Sequence, residues 1–233
     1  MSTETHQGKR AIRWLQAYAA LMTIAIVALF FTDGTATDGV LRVRGLIIED
    51  EAGRERILIG APIPAAANRV RTDEARVREL WGPRFPDPER YMGWYRDYQH
   101  STNGILILSE DGFDRLVLGD PVPDPNIGRR IGPNTGLLVN DPEGFERSGY
   151  GLIDVDGQYR VGLGIDSNRS QESLMLMLHD NDRVGIAVAE GEDMIFLGKG
   201  PNGYYRGPDE PFLGLAVMQG GEVVHNLNVV ERN

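Results

Sequence analysis

Carboxylates crowd together wherever this sequence is about to turn: Glu49-Asp50-Glu51, Glu110-Asp111, Asp154 with Asp156, Asp180 with Asp182, and Glu190 with Glu192-Asp193. Outside a cell, oxygen clusters of this kind are the chemistry of calcium. None offers the twelve-residue loop of spaced ligands closed by a glutamate, whereas Asp near Gly is the ordinary composition of a tight turn. The turn reading is preferred, and no metal or other cofactor is assigned. Arg56, Arg115, Arg147 and Arg160 are candidate anion binders, but each follows a glycine at a fixed interval, which reads as a repeated cross-strand pair with a carboxylate. Nucleophilic catalysis needs a base and a third group that orients it. His100-Ser101, His179-Asp180 and His225 are only chance neighbours, and no nucleophile elbow or phosphate loop is present. Asp87, Glu89 and Asp97 lie near aromatics in the manner of a glycosidase pair, but their spacing does not support one. No catalytic residue is assigned, and the chain reads as a non-enzyme.

Composition narrows the chemistry further. The absence of cysteine removes disulfides, thiolate metal sites and thiol nucleophiles. A net charge of -10 argues against a nucleic-acid partner, because counterion release needs clustered Lys and Arg. The most distinctive concentration of side chains is aromatic. Trp81, Phe85, Tyr91, Trp94, Tyr95 and Tyr98 all fall within Ala61–Asn103, a stretch interrupted by Pro83, Pro86 and Pro88. They form the candidate surface for a partner or ligand, weighed against the preferred reading of a mini-core that clamps the insertion onto the sheets. Within that stretch Thr72-Asp73-Glu74 reads as a helix start, and Val77, Leu80 and Trp81 follow helical spacing. A shorter insertion, Pro121–Thr135, carries Arg129-Arg130.

What must position these groups is a repeat. Gly45–Gly60 (GLIIEDEAGRERILIG) and Gly104–Gly119 (GILILSEDGFDRLVLG) align without a gap, and further shifts find two more copies centred on Gly144 and Gly157. The template is Gly, seven residues, Gly, two residues, Arg, three residues, Gly. Asp50, Ser109, Asp141 and Asp154 each stand three before the central Gly53, Gly112, Gly144 and Gly157, and Arg56, Arg115, Arg147 and Arg160 follow. Asp or Ser at the first position of a type I turn, with glycine supplying the left-handed residue, predicts a β-hairpin per copy. The third and fourth copies share a strand, which predicts an antiparallel meander. Degenerate hairpins continue through Leu174–Leu178, Val184–Val188, Met194–Leu197, Leu213–Val217 and Val223–Val229.

This strand, Asp-x-x-Gly-x-x-Arg, strand, Gly unit, as in GLIDVDGQYRVGLG at 151–164, resembles hairpin repeats of uncharacterised bacterial membrane-anchored envelope proteins. The resemblance covers roughly 45–60 and 104–230 and implies extracytoplasmic display without a known catalytic role. It does not extend to the aromatic insertion, so no functional residue follows from it.

Incoming arms such as Ile105-Leu106-Ile107-Leu108 and Leu174-Met175-Leu176-Met177-Leu178 are apolar throughout, so both sheet faces need cover. The expected fold is all-β, hairpin repeats forming a sandwich, irregular barrel or prism, with a multi-sheet arrangement favoured and homo-oligomerisation open. Gly162 and Gly164 alternate with Val161 and Leu163, leaving bare backbone on the arginine side that a sheet, an arginine stem or a subunit could approach.

From Trp14 to Phe31 the chain carries no formal charge, enough to cross a membrane as a helix. Lys9, Arg10 and Arg13 precede it and Asp33 and Asp38 follow, which places the amino terminus in the cytoplasm. A cleaved signal peptide is the competing reading. The expected organisation is a cytoplasmic 1–13, a single-pass transmembrane signal-anchor over 14–31, a linker over 32–40, and an extracytoplasmic (periplasmic or cell-surface) β-repeat domain over 41–233 with a helical and aromatic insertion at about 61–103. The function read from this is a membrane-anchored structural or interaction protein of the cell envelope. Its insertion would meet a partner protein or envelope component; the alternative is a carbohydrate or small-ligand binding domain.

Overall fold

All four template glycines adopt left-handed backbone, with φ of 75° at Gly53, 83° at Gly112, 83° at Gly144 and 80° at Gly157. The computed structural model describes residues 14–24, 40–167, 171–178, 182–203 and 206–230. In the first three copies the glycine amide donates to the carbonyl three residues back, Gly53 to Asp50 at 2.9 Å, Gly112 to Ser109 at 3.1 Å and Gly144 to Asp141 at 3.0 Å. A one-residue register shift follows each of these turns and falls at the template arginine, which lies between the paired residues Glu55 and Ile57, Asp114 and Leu116, and Glu146 and Ser148. The fourth copy departs from the template. Asp156 and Gly157 both have positive φ and Val155 pairs directly with Gln158, so this hairpin closes by a two-residue mirror-image turn.

Side chains reinforce the corners. Asp50 Oδ1 accepts from the amides of Ala52 and Arg54, Asp141 Oδ1 from Glu143 and Phe145, and Ser109 Oγ from Phe113. Desolvation works against the charged Asp50 carboxylate, but these amides and the Arg54 and Arg56 guanidiniums outweigh it and hold its pKa at about 2. The arginines then reach beyond their own hairpin: Arg56 Nε donates to Leu108 O, Arg115 Nε to Asn140 O and Arg147 Nη1 to Ser167 O. In the first three copies the arginine therefore staples its hairpin to the end of the next, and two of them also meet their own turn carboxylate, Arg56 with Asp50 at 3.2 Å and Arg147 with Asp141 at 3.0 Å.

The strands are β1 (Gly45–Glu49), β2 (Glu55–Gly60), β3 (Gly104–Leu108), β4 (Asp114–Gly119), β5 (Asn134–Asn140), β6 (Glu146–Val155), β7 (Gln158–Ile165), β8 (Leu174–Leu178), β9 (Val184–Glu190), β10 (Asp193–Gly200), β11 (Phe212–Gln219) and β12 (Glu222–Asn228). They pair in strict sequence order, always antiparallel, in one twelve-stranded sheet. The favoured multi-sheet arrangement is thereby corrected: among the described residues every strand belongs to this one meander. The physical reason lies in what covers the sheet. Over β2–β5 one face is buried beneath the insertions, with Leu58, Leu106, Val117 and Leu138 packed against Ile63, Ala66 and Val122. Over β8–β11 the same face closes on itself through Met177, Ala187, Met194, Phe196, Phe212 and Ala216. The opposite face keeps its Leu, Ile and Val side chains exposed or half-exposed.

Within Ala61–Asn103 two short helices form, α2 (Glu74–Leu80) and α3 (Pro88–Tyr95). Asp73 caps α2, accepting from the Ala75 and Arg76 amides, and Asp87 caps α3 through Arg90, with Pro88 in the first turn where its missing N–H costs nothing. The amino-terminal unit, which the structure divides from Arg44–Asn233, contains α1 (residues 14–24), whose apolar side chains are exposed. Among the described residues no helix is long and apolar enough to cross a membrane. Residues 25–31, the remainder of the expected span, lie outside the described residues, as do 1–13 and most of the linker.

Candidate functional site

The aromatic insertion is first of all a small core. Trp81, Tyr91, Tyr95 and Tyr98 are buried and Phe85 is half-buried, so the expected six-residue aromatic surface is corrected to one exposed member, Trp94. Helical spacing explains the outcome. Val77 and Trp81 lie one turn apart on α2, Tyr91 and Tyr95 one turn apart on α3, and the two stripes face each other. Trp81 meets Tyr95 edge-on with ring centroids 5.8 Å apart, and it also touches Phe113 and Phe145, the residues that follow the corner glycines Gly112 and Gly144. Its indole Nε1 donates to Glu143 O at 2.8 Å. The Val70 amide donates to Gly112 O, and a Cβ at Gly112 would lie 1.8 Å from Asn68 O, so only glycine admits the insertion this close.

Under this cluster sits a charged group that sequence reasoning missed. Asp114, at the start of β4, accepts two hydrogen bonds from Arg69, at 2.8 Å from Nε and 2.6 Å from Nη2, and Arg71 Nε stands 3.3 Å away. All three side chains are buried. Burial alone pushes the Asp114 carboxyl upward, but the two guanidiniums and their hydrogen bonds prevail and hold it below the usual carboxylate range. Tyr95 is pushed up to about 12, chiefly by burial, with Arg71 opposing. His100 is pushed down by burial and by Arg71, and its Nε2 lies 2.8 Å from Tyr95 O. A carbonyl only accepts, so Nε2 carries the proton and donates. With Nε2 engaged by this carbonyl and its ring centroid 4.6 Å from that of Tyr95, His100 is tied into the aromatic cluster. The second insertion adjoins the first through buried Asp124, whose carboxylate accepts from the Gln99 and Arg130 amides.

Two concave surfaces bear on a ligand or partner. The first is a groove of about 390 Å³ on the outer edge of the insertion, lined by Trp94, Asp97, Tyr98, Ile127, Gly128 and Arg129. Arg90 lies 4.6 Å above the Trp94 ring, so the indole is already held on one side by a cation. The second is a cleft of about 350 Å³ against β6 and β7. Its floor is the backbone of Gly149, Gly151, Gly162 and Gly164, and nothing lies within 4 Å of where a Cβ on Gly164 would stand. Arg130 and Glu146 pair at 2.7 Å on its rim, and burial raises the Glu146 carboxyl pKa against the pull of Arg130. Asn134 is buried there with its Oδ1 lacking a hydrogen-bond partner. The bare glycines were legible in sequence as an approachable backbone; the carboxylate and amide beside them were not.

The remaining sequence candidates do not converge. Asp87 is consumed in capping α3, Glu89 pairs with Arg78, and Asp97 is exposed. His225 stands on exposed β12, and His179-Asp180 lie outside the described residues. Among the described residues no group of three or more His, Cys, Asp or Glu gathers to hold a metal ion. No family model, curated protein or solved structure matches this chain.

Proposed function

We propose that the protein is a membrane-tethered, extracytoplasmic interaction module without catalytic activity, whose β-meander holds the outer edge of the aromatic insertion toward a partner protein or envelope component. The observation that carries this reading is the contrast within the insertion: its aromatic side chains are spent on rigid packing except Trp94, which is 51% exposed beside its own groove. Exposed tryptophan with a neighbouring arginine is the usual composition of a binding hot spot. The tether is proposed from the uncharged run at 14–31, of which α1 forms the first part, and the outward orientation from Lys9, Arg10 and Arg13 before it. Deleting the insertion would be a poor test, since it would uncover Leu58, Leu106 and Leu138. Instead, a photo-crosslinking residue in place of Trp94 in the full-length, membrane-bound protein is expected to give one discrete adduct that the same residue at Gln158 does not give. Identical patterns from the two positions would refute the reading.

A second reading, a carbohydrate or small-ligand domain, is favoured by the open space at Gly164 on the cleft floor, beside an Asn134 side chain that packs over Gly151 with its Oδ1 lacking a hydrogen-bond partner. A sugar ring lays its C–H face on such backbone and offers hydroxyl donors to an amide and a carboxylate. In this reading Gly164→Val fills the floor and abolishes saccharide binding by the full chain in titration calorimetry. The thermal midpoint should stay level or rise slightly, because the side chain enters empty space and replaces a flexible strand glycine. Saccharide binding that is absent from the wild type, or unchanged in the valine variant, would end this reading.

A further inference from the structure

The uncovered face of the sheet is uniform along its whole length. Following ladder partners from Leu46 to Ile59, on to Ile105 and so across every strand to Leu227, each position in the row is apolar. The neighbouring row, from Ile48 to His225, is apolar except at Ser148 and at His225 itself, and neither row contains an Asp, Glu, Lys or Arg. These side chains are not packed inside the chain: Leu176 is 39% exposed, Leu197 55% and Leu227 55%. They lie on the side of the sheet opposite Leu58 and Leu106, and therefore opposite the insertion and the Trp94 groove.

We infer that this face is the contact between two copies of the chain, packed sheet on sheet. Twelve strands at ordinary spacing make a band roughly 55 Å long and, with two rows of side chains, roughly 13 Å wide, about 700 Å² per copy. That exceeds the roughly 300–600 Å² of the largest apolar patch on a typical monomer and approaches the roughly 800 Å² per partner of a stable interface. The occupant follows from the regularity. Rows repeating at the strand spacing in one direction and at every second residue in the other fit an identical grid, laid face to face about 10 Å away, better than an irregular partner. A pair formed this way also desolvates no Asp, Glu, Lys or Arg, despite a net charge of -10 per chain. The same net charge disfavours an anionic lipid surface, which needs clustered basic residues around the apolar band.

Because the chain has no cysteine, a single introduced one reports on the contact without background. Light scattering on the full chain in detergent micelles, corrected for bound detergent, is expected to show two chains per particle, and Leu197→Cys to crosslink with a short bismaleimide while Gln158→Cys does not. The double variant Leu176→Glu, Leu197→Glu should run as one chain with unchanged far-UV circular dichroism, both side chains being substantially exposed in the single copy. One chain per particle for the wild type, or persistent pairing of the glutamate variant, would overturn the inference; in the latter case association would belong to the amino-terminal helix or the sheet edges. Equal crosslinking from both cysteines would overturn it as well.

Discussion

Replacing Asp114 with asparagine is expected to destabilise the β-sheet unit by about 3–5 kcal/mol, the usual cost of removing one partner from a buried ion pair. The carboxylate is the one group facing the Arg69 guanidinium at hydrogen-bond distance through both oxygens, and it also faces Arg71. Asparagine keeps the shape and leaves two buried guanidiniums without a counter-charge. The loss should appear in urea unfolding at neutral pH as a lower midpoint with an unchanged slope. Its pH dependence has a fixed sign. The Asp114 carboxyl is held below its ordinary value in the folded state, so its contribution is fully present above the unfolded value of about 3.9 and disappears as pH falls through the lower folded one. The difference between wild type and Asp114→Asn is therefore largest at neutral pH and narrows on acidification below about pH 4. Asp50, held at about 2, contributes an acid dependence of the same sign to both proteins and cancels in the comparison.

Trp81→Ala carries a comparable expected loss, about 3–5 kcal/mol, because it opens a cavity at the junction of insertion and meander. The indole is 2% exposed and touches Tyr95 from α3 and Phe113 and Phe145 from two hairpins, while its Nε1 holds Glu143 O. Trp94→Ala, in the same insertion, should change stability by less than about 0.5 kcal/mol, as an exposed substitution away from caps and core. The two tryptophans stand thirteen positions apart, are both flanked by glycine, and are distinguished only by their place on the helices. Calorimetric unfolding of the two variants side by side measures the contrast; equal losses would mean that the insertion is not fastened through Trp81.

How much of this was legible in the sequence divides along a physical line. The hairpins were legible because turn chemistry is local: Asp50 and Gly53 fix their corner with atoms five residues apart or fewer. The degenerate hairpins after Leu174 could be read for the same reason, from alternation and paired glycines such as Gly220-Gly221. The number of sheets was not legible. An apolar run such as Ile105–Leu108 states that both faces avoid water and says nothing of whether a second sheet, an insertion or another chain covers each one. The fate of the aromatics was legible as a packed mini-core, but not that Trp94 alone stays exposed, since helical spacing does not state which side of α3 meets Trp81, Phe113 and Phe145. Least legible was the group around Asp114. The forty-odd residues between Arg69 or Arg71 and Asp114 carry no local signal of the pairing.

The central claim is that the insertion and the twelve-stranded meander form one cooperative body, so that Trp94 is displayed from a rigid base. Urea unfolding of the wild-type chain, followed at once by near-ultraviolet dichroism of the aromatic cluster and far-ultraviolet dichroism of the sheet, tests it most directly. The two signals should be lost in a single coincident transition, shifted together to lower urea by Asp114→Asn. An aromatic signal that melts first, while the sheet persists at higher urea, would contradict the account.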